Sequence, residues 1–216
     1  MIANPNGPSV ALAALAVRRL PLVLLLREPI QRAFSAFSAY LMTMANLAKK
    51  GQEGSMFRFD RRVRMEVRGL RRPRPARFNQ YSSPTEYVRL GLYGSMLDKI
   101  MGAGYVVLRG DRDDYAPANS EGQPRMVVMV SERFKANRTL GLVRLWRFLG
   151  VPFYPTVSRF SRPGSYTSNL TDWARRQLWD AYRSSTLRTY EVLGERVDEW
   201  EAYYAAHNLG ALPHVH

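Results

Sequence analysis

Apolar residues gather along this chain in two patterns. Short unbroken runs occur at Pro21-Leu22-Val23-Leu24-Leu25-Leu26 and within Arg125-Met126-Val127-Val128-Met129-Val130-Ser131-Glu132-Arg133-Phe134. Neither alternates with polar residues, so both read as strands buried on both faces. A third strand candidate runs from Gly104 to Arg109, with Tyr-Val-Val-Leu at its core. Elsewhere apolar residues recur every three or four positions. Ala33, Phe34, Phe37, Tyr40, Leu41, Met44 and Leu47 predict one long helix from Pro29 to about Lys50, with Lys49, Lys50 and Gly51 as a cationic end and a stop. Leu140 to Val151 predicts a helix ending on Gly150. Two helical patterns, Trp173 to Arg183 and Ser184 to Leu193, break at Gly194, and Glu195 to Ala206 is a last helix. Pro8 to Leu20 reads as a helix that packs on the sheet.

The intervening stretches are polar or rich in Pro and Gly. Gly51 to Pro84 reads as a loop insertion, because Pro73 and Pro75 argue against regular structure and nine arginines from Arg58 to Arg77 face only Asp60 and Glu66. Ser83-Pro84-Thr85-Glu86 then carries a capping-box signature, with Ser83 opening the next helix. Asp111 to Pro124 and Tyr154 to Asn169 read as loops.

The junction after the first apolar run, Arg27-Glu28-Pro29-Ile30-Gln31-Arg32-Ala33-Phe34-Ser35, carries the most chemistry. Pro29 suits the first turn of a helix, where its missing N–H costs nothing. Arg27 then stands at the carboxyl end of a strand and Ser35 on the following helix, at the edge where open α/β sheets bind ligands. A planar bidentate donor beside a short hydroxyl suits a phosphate.

In register, Arg27, Glu28, Pro29, Arg32, Ala33 and Ser35 resemble the 3′-phosphate-binding motif of sulfotransferases that use 3′-phosphoadenosine 5′-phosphosulfate. The stretch Tyr87 to Leu97 resembles that family's "G-x-Y, then a Leu-bearing helix" element. The strand ending in Ser131-Glu132-Arg133, followed by Phe148-Leu149-Gly150, is similar to Golgi-type carbohydrate sulfotransferases. The resemblance covers roughly residues 12 to 200. It implies a three-layer α/β fold of the P-loop-like kind with a parallel sheet. It also implies transfer of a sulfuryl group to a hydroxyl or amine of a glycan, with Arg27 and Ser35 on the 3′-phosphate of the donor. Arg162 and Gly164 occupy the place of the family's basic loop over the nucleotide phosphates. The family's phosphosulfate-binding loop has no counterpart here, since Lys49, Lys50, Lys99 and Lys135 all lie outside any Gly-rich strand-to-helix turn. The expectation is therefore a single truncated domain over 1–216, lacking its first βα unit and inactive alone. No catalytic base is assigned: Glu132 reads as a capping or Arg-pairing carboxylate.

Composition narrows the partners. The 216 residues carry a formal charge of +14, almost all of it from Arg, which points to polyanions. In the tract from Arg58 to Arg77, Arg68, Arg71, Arg72 and Arg74 are the candidate contacts to an acidic glycan acceptor. The chain has no cysteine, so a disulfide framework and a thiolate metal site are both excluded. His207, His214 and His216 are its only histidines, which excludes a histidine triad or zinc site in the body of the domain and leaves 207–216 as a flexible tail. No metal is expected. Val10 to Leu26 is too short for a membrane span and is broken by Arg18, Arg19 and Pro21. The family implies a Golgi location through an anchor that this chain lacks, and no targeting segment is visible. Two other classes remain: a non-catalytic sulfotransferase-like module that binds nucleotide or glycan, and a basic nucleic-acid-binding protein. The second is disfavoured because aromatic residues in the Arg tract are thin, with Phe57, Phe59 and Phe78 only.

Overall fold

The computed structural model describes residues 15–48, 55–70, 86–109, 122, 124–152, 170–210 and 212. Three short strands form one open parallel sheet in the order β1-β3-β2. These are β1 (Leu22–Leu26), β2 (Val106–Arg109) and β3 (Arg125–Val130). Leu22 pairs with Met126 and Leu26 with Val130, while Val106 to Arg109 run beside Arg125 to Val128. All three carboxyl ends therefore point to one edge.

The two faces of the sheet are covered unequally. One face carries the main core, where Leu26, Met126, Val128 and Val130 meet α1 (Pro29–Ala48), α2 (Ser55–Leu70), α3 (Tyr93–Gly102), α6 (Asp172–Leu193) and α7 (Asp198–Ala206). On the other face Val127 and Met129 pack on Phe148 of α5 (Arg138–Leu149), with Phe134 of α4 (Ser131–Ala136) beside them. β3 is thus buried on both faces, as its unbroken apolar run predicts. β1 is not: Val23 and Leu25 are 43% and 52% exposed. Among the described residues β1 is an edge strand, and neither Val23 nor Leu25 joins the cluster around Phe148, so its burial alternates. The fold is α/β with a small open parallel sheet.

Several boundaries follow local chemistry. Gly150 and Gly194 both adopt the left-handed conformation that ends a helix, at φ 67° and 64°. Thr171 caps α6, accepting from the Ala174 N–H at 3.1 Å while donating to Asp60 at 2.8 Å. The helix runs unbroken through Ser184 and Ser185, where two helical patterns were expected. The Ser185 hydroxyl instead accepts from the Gly94 N–H at 2.9 Å, and a Cβ on Gly94 would collide with the Ser185 carbonyl. That close approach joins α3 to α6.

The Arg-rich stretch departs most from expectation. Residues 55–70 form a helix, not a loop. Phe59 and Val63 are buried, with Val67 and Leu70 packed on the same core. Phe59 meets Phe37 of α1 at 4.9 Å between ring centres. Arg61, Arg64 and Arg68 occupy the other side and are exposed, and Arg64 lies over the Trp173 ring at 4.9 Å. Ser83 lies outside the described residues. After it, Tyr87 and Val88 make a turn, Arg89–Gly91 a single 3₁₀ turn, and α3 begins at Tyr93. Of the tail expected at 207–216, the described part is packed, with Leu209 and Leu212 buried and the Leu212 carbonyl accepting from Arg196 at 2.8 Å.

Candidate functional site at the carboxyl edge of the sheet

β1 leads through Arg27 and Glu28 straight into α1. Glu28 is almost wholly buried. Its carboxyl accepts from the Ile30 N–H at 3.0 Å and the Gln31 N–H at 2.6 Å, the free donors of the first helical turn. Pro29 needs no such partner, so Glu-Pro at this junction is a complete helix start. Next door, β3 runs directly into α4, which carries Glu132 in its first turn. Glu132 accepts from the Glu28 backbone N–H at 3.1 Å and from the Trp200 indole at 3.2 Å. It therefore clamps the end of β1 to the end of β3 and to α7. The expected capping or Arg-pairing role is replaced by this one.

Burial pushes the Glu28 carboxyl from 4.5 up to about 7; its two backbone donors oppose the rise and the nearby Glu132 charge adds to it. An aromatic wall explains the low polarity. Tyr93 and Tyr190 flank Trp200, each with ring centres 6.1 Å from it. The Tyr204 hydroxyl is buried and faces the Glu28 carboxyl, yet makes no hydrogen bond of ordinary geometry. Burial pushes the Tyr93 hydroxyl up to about 12, and that hydroxyl donates to the Arg27 carbonyl at 2.9 Å. The Gly91-Leu92-Tyr93 element thus supports the backbone at Arg27. A Cβ on Gly91 would collide with the Tyr182 ring, so glycine there lets the turn close.

Arg27 is half-exposed and donates to the Gln31 side chain at 3.3 Å. Gln31 and Ser35 are four residues apart, one turn further along the same helix face. Arg27, Gln31 and Ser35 therefore follow one line from the end of β1 along α1, with Ser35 half-buried. Arg32 points elsewhere and donates to the Tyr87 carbonyl, which braces α1 against the turn before α3. Of the other residues singled out from sequence, Arg162, Gly164, Arg71, Arg72 and Arg74 lie outside the described residues, and Arg68 sits on the exposed side of α2.

Sequence reasoning passed over Glu28 as a cap and Gln31 as the side chain to which Arg27 donates. The Glu-Pro pair at the strand end was the available signal for the first. Helical spacing of four was the signal for the second. Among the described residues no cluster of acidic and histidine side chains could hold a metal, and no helix is long and apolar enough to cross a membrane. No family model, curated protein or solved structure matches this chain.

Proposed function

We propose that this chain is a sulfotransferase-like protein whose carboxyl sheet edge binds the 3′-phosphate of a 3′-phosphoadenosine nucleotide, for sulfuryl transfer to a hydroxyl or amine of a glycan. The observation that carries the reading is the line of Arg27, Gln31 and Ser35 beside a capped helix start. A half-exposed guanidinium offers paired donors and a fixed charge to a phosphate. Ser35 adds a hydroxyl from two turns along the helix. Glu28 and Tyr93 act behind them, holding the helix start and the Arg27 carbonyl in place. The sulfuryl group itself is carried by the nucleotide donor when bound. Glu132 is a clamp in this reading, because both its oxygens already accept hydrogen bonds from protein donors. The exposed side of α2, with Arg61, Arg64 and Arg68, supports an acidic acceptor.

Calorimetric titration with adenosine 3′,5′-bisphosphate tests the nucleotide reading. Arg27→Ala is expected to weaken binding by about 1.5–3 kcal/mol, the scale of hydrogen bonds to a charged group. Equal affinity in wild type and Arg27→Ala refutes it.

A further inference from the structure

Gln31 ties two groups of the sheet edge together. Its backbone N–H donates to the Glu28 carboxyl at 2.6 Å, while its side-chain oxygen accepts from the Arg27 guanidinium at 3.3 Å. The phosphate contact of the reading above and a buried carboxyl are thus successive residues that share one partner in the first turn of α1.

That carboxyl has no counter-charge. Arg27 donates to Gln31 and Arg32 to the Tyr87 carbonyl, so neither of the arginines near it in sequence pairs with it. The groups that face it from the packed helices are Glu132 of α4, Tyr93 of α3, Tyr190 of α6, and Tyr203 and Tyr204 of α7. Burial raises all four hydroxyls, which keeps them protonated through the neutral range and leaves Glu132 as a like charge. The buried Tyr204 hydroxyl has no partner of ordinary geometry. A hydroxyl can donate to a carboxylate or accept from a carboxylic acid, so the site accommodates Glu28 in either state. Burial sets the balance between the two states near neutrality, at about 7.

A phosphate seated on Arg27 brings up to two negative charges to the residue beside this carboxyl. A like charge disfavours ionisation, and burial of Glu28 limits screening by salt. We propose that anion binding at Arg27 takes up a proton at Glu28, which makes Glu28 a positioning residue that adjusts the affinity of the site to pH. The inference rests on the nucleotide reading and adds its regulation. Its direction is fixed by linkage. Below neutrality Glu28 already carries the proton and the anion binds at full affinity. As pH rises, the anion has to bring the proton with it and affinity falls. The fall ends where Glu28 is ionised in the complex as well.

The test is calorimetric titration of the full chain with adenosine 3′,5′-bisphosphate from pH 7 to pH 9, in wild type, Arg27→Ala and Glu28→Gln. The phosphates hold constant charge there, because their second ionisation lies near pH ~6. Wild type should lose affinity about fivefold or more across the range, the lower end of coupling between sites. Heats in two buffers of different ionisation enthalpy should show a proton taken up on binding. Glu28→Gln should show neither effect. A cap that is merely structural would instead change affinity by one factor at every pH. Should Glu28→Gln fail to fold, the ¹³C shift of the Glu28 carboxyl in wild type gives the same answer, with a titration midpoint that rises when the nucleotide binds. Parallel pH curves, no proton uptake or an unmoved midpoint overturns the inference, and the nucleotide reading survives if Arg27→Ala still weakens binding. Absence of saturable binding in wild type, or equal affinity in Arg27→Ala, overturns both.

Discussion

Glu28 makes the stability of this protein depend on pH in an unusual sense. A carboxyl raised from 4.5 to about 7 binds its proton more tightly in the folded state than in the unfolded one. Below pH 4.5 both states are protonated and the contribution is fully present. Between 4.5 and 7 the unfolded chain ionises first, and stability falls by about 1.4 kcal/mol per pH unit. Above 7 both states are ionised and the loss is complete, about 3 kcal/mol in all. The cause is burial near Tyr190 and Tyr204, only partly answered by the Ile30 and Gln31 N–H groups. The variant that isolates the effect is Glu28→Gln. It keeps one acceptor for the helix start and removes the titration, at a constant cost of about 1 kcal/mol for the weaker cap. Urea unfolding of both proteins at intervals from pH 4 to pH 8 gives the difference curve. That difference should be flat at both ends, with Glu28→Gln gaining about 3 kcal/mol on wild type across the middle. General acid effects from the +14 charge appear in both proteins and cancel. Two parallel stability curves would refute the reasoning, because they would mean that Glu28 titrates alike folded and unfolded.

Two further substitutions probe the scaffold. Gly194→Ala should cost about 1–2 kcal/mol from the left-handed backbone, plus whatever displacing Arg109 adds, and unchanged urea unfolding would contradict both. Trp200→Phe should cost about 1–3 kcal/mol by leaving a Glu132 oxygen without its donor, and a double-mutant cycle with Glu132→Gln should show coupling. Strict additivity in that cycle would mean that the indole and the carboxylate do not interact.

What sequence could reveal here was local. The step from β1 to α1 was readable because Pro29 suits a first helical turn after an apolar run, although the Glu28 cap beside it was passed over. The stops at Gly150 and Gly194 were readable too. The helix at 55–70 was not, since its arginines outnumber the apolar residues that define its buried side, Phe59, Val63, Val67 and Leu70. Trp173 to Arg183 and Ser184 to Leu193 read as two helical patterns, and the structure joins them into one helix in which Ser185 is tied to Gly94. Exposure of Val23 and Leu25 depends on what lies beside β1 and over its face in the folded chain. Neither is encoded in the run itself. The candidate phosphate line was legible at Arg27 and Ser35, four residues on either side of Gln31.

The parallel register has a consequence for biogenesis. Leu22 meets Met126, and Glu28 meets Glu132, 104 positions along the chain. A ribosome adding about 5–20 residues per second needs roughly 5–20 s to produce the partner that β1 requires. Throughout that interval an unbroken apolar hexapeptide, Pro21 to Leu26, stands without a neighbour. α1 can wind at once, because its contacts are near in sequence, but the sheet has to wait for loop closure over the whole intervening length. The nascent chain is therefore most exposed to misassociation at β1, the first strand among the described residues. A chaperone that recognises short apolar segments would find its natural substrate in the half-made protein.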